Sequence, residues 1–112
     1  MTRRERASAE ALGWITDMRE ALCDLEAAVD EIRVNPRLDP GLRGRADEAA
    51  HFAAETGTIL DDLEGELRAH DHVMQVIAML AVTGKRTDHV KRRSRELRVP
   101  IELGDLAASA AD

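Results

Sequence analysis

Aromatic side chains are almost missing from this chain: Trp14 and Phe52 stand alone and there is no tyrosine. Rings on which unpaired bases could stack are therefore lacking, as are most of the anchors of tight protein hot spots. Cys23 is the single cysteine, which excludes an internal disulfide and any site built from several thiolates; it is expected as a small, half-buried residue beside Leu22. No stretch approaches the ~18 uncharged apolar residues of a membrane span. The basic start, Met1 to Arg6, runs into Ser8 and Glu10 rather than into the apolar core of a secretion signal. A soluble, cytoplasmic protein without membrane contact is expected. Glycine-rich phosphate loops, nucleophile–base arrangements and converging carboxylate pairs are also missing, so neither an enzyme nor a cofactor is expected.

What is present is charge and aliphatic carbon. The charged fraction is 34% and the hydrophobic fraction 44% over 112 residues, a profile of long helices in one modest domain. The charge is unevenly placed: residues 9–84 carry 16 acids and 6 bases, whereas residues 85–98 carry 7 bases and 2 acids. An acidic body, 1–84, is thus followed by a basic segment and short apolar tail, 85–112. Blocks of this kind mark binding surfaces or solvated helix faces.

The clearest pattern lies between Ala11 and Ile32. Ala11, Ile15, Met18, Leu22, Leu25, Val29 and Ile32 recur at alternating spacings of four and three, the seam of a helix that packs on another helix. Thr2 with Glu5 has the spacing of a capping box, but Ser8 is the expected cap, and the helix should run to about Val34, where Asn35-Pro36 stops it. Gly13 within it suggests close approach of a neighbour beside Trp14. Asp39 then suits an N-cap with Pro40 in the first turn. The second helix is read as continuous to Thr83-Gly84, with Gly57 its weakest point, and a short third helix should follow from Thr87 or Asp88 to about Arg98, closed by Pro100.

At ~1.5 Å per residue, a second helix of that length outruns the first and leaves Val73 to Val82 bare, to be covered either by a second subunit, the reading adopted, or by the tail folding back. The expected fold is therefore all-α: an antiparallel two-helix hairpin plus a short C-terminal helix, paired with a second copy into a four-helix bundle. Val73, Met74, Ile77, Leu80 and His70 are the expected partner interface, with His70 a polar register position or half of an intersubunit metal or pH site. Function is read as that of a non-enzymatic oligomerising interaction or adaptor protein, a homodimer or higher homo-oligomer. Two alternatives accompany it. A DNA-binding regulator would use Lys85, Arg86, Lys91, Arg92, Arg93 and Arg95 on the basic helix, which loosely resembles the second helix of a helix-turn-helix. A metal-binding bundle would use pairs such as Glu48 and His51, whose spacing matches di-iron bundles.

Overall fold

The computed structural model describes residues 1–70 and 72–111, with every side chain in that range except that of His70. The protein is all-helical: α1 (Arg3–Val34), α2 (Pro40–His70) and α3 (Val73–Ala111) account for nearly all of the described chain. At 32, 31 and 39 residues the helices span about 48, 46 and 58 Å. They form a rod with extents of 60 × 24 × 18 Å.

Local chemistry explains most helix ends. Thr2, not Ser8, caps α1, its hydroxyl accepting from the Glu5 amide at 3.1 Å; the earlier cap wins because the first turn can still be held by a side-chain oxygen. The α1–α2 connection turns on two Asx contacts. Asn35 Oδ1 accepts from Arg37 N at 3.0 Å and Asp39 Oδ1 accepts from Gly41 N at 3.0 Å, so short polar side chains replace lost helical bonds. Pro40 then opens α2 as expected.

Helix 2 does not continue to Gly84. It passes unbroken through Gly57 and Gly65 and ends at His70; the chain reverses, and a long helix rather than a short one begins at Val73. Thr83, Gly84 and Thr87, read as helix ends, lie inside α3. The Thr83 hydroxyl donates to the Met79 carbonyl at 2.8 Å and the Thr87 hydroxyl to the Thr83 carbonyl at 3.2 Å, so these side chains satisfy themselves within one continuous helix. Pro100 is also internal to α3. The 84/85 boundary between acidic body and basic segment falls in mid-helix.

Two apolar clusters, each drawn from all three helices, make the core. One joins Leu25 and Val29 to Leu42 and Ala46 and to Val90 and Leu97. The other joins Ala11 and Ile15 to Leu60 and Leu67 and to Val73 and Leu80. The start of α1 thus meets the end of α2 and the start of α3, which makes an up-down-up bundle. The seam of α1 is used as expected, and its flank, Ala21 and Ala28, is buried as well. Methyl-sized side chains there let a second neighbour approach closely, and that neighbour is α3.

Interhelical ion pairs fasten the edges. Arg19 reaches Asp61 at 2.6 Å and Glu64 at 3.4 Å, Arg33 reaches Asp47 at 2.9 Å, and Arg98 reaches Glu31 at 2.6 Å. All are at least partly solvated, so each is worth a fraction of a kcal/mol to ~1 kcal/mol.

Close approach occurs at Gly57, where an added Cβ would lie 3.6 Å from Leu22 Cδ1, and at Gly84, where it would lie 3.8 Å from Met18 Cε. Gly13 has no such neighbour within 4 Å, contrary to the expectation from sequence, and it is exposed in mid-helix. Gly13→Ala should therefore raise stability by roughly 0.5–1 kcal/mol, by removing backbone freedom from the unfolded chain. An upward shift of a few degrees in thermal midpoint is the expected result, and Gly65→Ala, equally open, should add to it.

Candidate interaction surface

Between the two core clusters lies a polar waist. Thr56, Thr83 and Thr87 are buried there, and Arg86 reaches across from α3 to α2. Its Nε donates to Thr56 Oγ1 at 3.0 Å, Nη2 lies 3.3 Å from Glu55 Oε2, and the guanidinium sits 4.0 Å above the centre of the Phe52 ring. Phe52 meets His89 edge-on, with ring centres 4.8 Å apart. Thr56 itself donates to the Phe52 carbonyl at 2.9 Å, so its hydroxyl is satisfied in both directions. Arg86 therefore clamps two helices of its own chain, a role that keeps it from an outside ligand.

Beside the waist, a cleft of about 670 Å³ opens between the first half of α2 and the second half of α3. Its walls mix Leu42, Phe52 and Leu97 with Arg45, Glu48 and Arg93. Arg93 is already paired with Glu96 at 3.0 Å, and charges of both signs line the cleft, so it favours no one ligand charge. Among the described residues, no group of three His, Cys, Asp or Glu side chains could hold a metal ion. His51 points outward and pairs with Glu55 at 3.1 Å. Cys23 is exposed rather than half-buried.

The residues expected at a partner interface divide. Val73 and Leu80 are 5% and 1% exposed, covered by the chain's own helices, and Ile77 packs partly buried against the same cluster. These three are consumed by the fold because the reversal after His70 brings them back along α1. Met74, at 76% exposure, stays on the surface. The His70 side chain lies outside the described residues.

The basic residues divide too. Arg86 and Arg98 turn inward onto α2 and α1. Lys85, Lys91, Arg92 and Arg95 are exposed and form no ion pair within 4 Å among the described residues. Lys91 and Arg95 share a shallow groove with Asp17, Glu20 and Asp24 of α1, so the cations border on acid. No family model, characterised protein or solved structure matches this chain.

One pattern emerges once α3 is seen whole. Its outward side carries a second stripe at spacings of three and four, strictly alternating from Met74 to Val99 and then stepping four to Leu103, and every member is exposed. Met74, Ala78 and Ala81 form one apolar end; Val99, Leu103 and Leu106 form the other. Lys85, Asp88, Arg92 and Arg95 lie between them. The spacing is present in the sequence, but helix ends assigned to Gly84 and Arg98 divided it.

Removing the Arg86 clamp should be costly. Arg86→Ala is expected to lower stability by about 1–2 kcal/mol, from the ring contact, the bond to Thr56 and the half-exposed pair with Glu55. Arg86→Lys should recover less than half, because an ammonium cannot fork between three partners. Urea unfolding followed by circular dichroism measures both.

Proposed function

We propose that this chain is a non-enzymatic helical interaction protein that works by self-association, using the outward face of α3. The reading is carried by the exposure of apolar side chains at helical spacing on that face: Met74 at 76%, Val99 at 54%, Leu103 at 60% and Leu106 at 67%. Single exposed apolar residues need no explanation, whereas a stripe repeated along one helix marks a surface that another helix covers. A partner helix laid there would build a four-helix arrangement outside the chain's own three-helix core.

Duplex DNA is the second reading, favoured by Lys85, Lys91, Arg92 and Arg95, which no acid among the described residues neutralises by direct pairing. Against it stand Asp88 among them and the acidic edge of α1 beside them, which repel phosphate.

Sedimentation equilibrium over a wide concentration range tests the proposal. The chain should self-associate reversibly, and Val99→Glu with Leu103→Glu should abolish this while leaving helicity intact. If that double variant associates as the parent does, the α3 face is not the surface used. A salt-sensitive gel shift by a monomeric chain would select the second reading.

A further inference from the structure

Resting on that reading, we infer that the outward face of α3 joins a second copy of itself antiparallel, about a two-fold axis at the level of Val90. The seam has a symmetry of character about this point: apolar, charged, apolar. Antiparallel pairing sets residues equidistant from Val90 against each other. Met74 then faces Leu106 of the second copy, Ala81 faces Val99, Asp88 faces Arg92, and Ala78 faces the exposed Glu102 with Leu103 beside it, each contact occurring twice, as an isologous interface requires.

Charge decides between the two directions. A parallel, in-register pair would oppose Lys85 to Lys85, Asp88 to Asp88, Arg92 to Arg92 and Arg95 to Arg95, four like-charge contacts in the middle of the seam. The antiparallel pair converts the central two into Asp88–Arg92 pairs on both sides of the axis. It leaves Lys85 opposite Arg95 on each side, two like-charge contacts where the parallel pair has four. Like charges directly opposed are destabilising and opposite charges set register, so antiparallel pairing is favoured.

The flanks agree. Asp17, Glu20 and Asp24 of α1 line one groove with Lys91 and Arg95 of α3, and these bases lie within about a turn of the axis. A two-fold there places both copies' acidic edges on the same side of the joined α3 helices, bracketing the cations of both. Basic residues that are unpaired in one copy gain neighbours from two.

The size of the contact sets its strength. From Met74 to Leu106 the strip is ~48 Å long, and a helix is ~10–12 Å wide, so roughly 500 Å² is covered on each copy. A total of about 1,000 Å² is at the low end for specific association, so a reversible dimer is expected rather than a permanent one.

Charge reversal tests this arrangement. Asp88→Arg and Arg92→Asp should each weaken dimerisation by about tenfold or more, since each turns two attractive contacts into repulsive ones. The double variant Asp88→Arg/Arg92→Asp should return to within about threefold of the parent, because the swapped pairs meet again across the axis. Both positions are exposed, and far-UV circular dichroism checks that each variant remains helical. Self-association that both single changes weaken and the double change fails to restore overturns the antiparallel register while leaving association through α3 standing. A parent chain that stays monomeric to ~1 mM, whether or not it shifts duplex DNA, overturns both.

Discussion

The structure depends on α1 being covered from two sides. Its seam from Ala11 to Ile32, widened by the small buried residues Ala21 and Ala28, needs two neighbours: α2, which Leu22 meets at Gly57, and α3, which Met18 meets at Gly84. A hairpin satisfies only the first. The chain meets the second demand with its own C-terminal third, which runs back parallel to α1 after α2 ends. The shelter of Val73, Val76 and Leu80, the continuity of α3 through the basic block and the inward turn of Arg86 and Arg98 follow from that one requirement. Burial of wide apolar faces outweighs the modest cost of tightening the chain through a short connection.

Electrostatics refine this arrangement without creating it. The acidic body and the basic segment meet inside one molecule, where Glu31 receives Arg98 and Glu55 receives Arg86. Partly solvated pairs of this kind contribute little individually, yet five of them, made by four arginines, tie each helix to its neighbours at fixed heights and so disfavour slipped alignments. Arg86 does more than its charge implies, because its planar head also covers a ring and a buried hydroxyl. A lysine there would be a point charge among groups shaped for a fork.

The legible parts of the chain were those with local punctuation. Asn35-Pro36 and Asp39-Pro40 announce a stop and a start, and the alternation of α1 needs no tertiary knowledge. The reversal after His70 carries neither glycine nor proline, so nothing local separates Ala69 from Val73, and the apolar periodicity of α2 continues across it. Conversely, Thr83-Gly84 and Pro100 look like terminators and are not. The threonine hydroxyl bonds back to its own helix, and packing of Val90, Leu97 and Ile101 holds α3 together around a proline that would end an isolated helix. These errors share a cause: propensity acts over a few residues, whereas the choice of where to turn was made by cores that join residues more than sixty positions apart. The outward seam of α3 was hidden for the same reason.

The threonine belt divides the rod crosswise, and each half is stitched from three distant stretches of chain. Neither half is a contiguous segment, so neither can be cut out and kept. Partial opening is therefore organised by height along the rod and not by position in the sequence: the end holding both Ala11 and Leu80 can loosen while the end holding Val29 and Leu97 stays closed. Because all three helices run through both halves, a disturbance at one end has three continuous rods along which to reach the other.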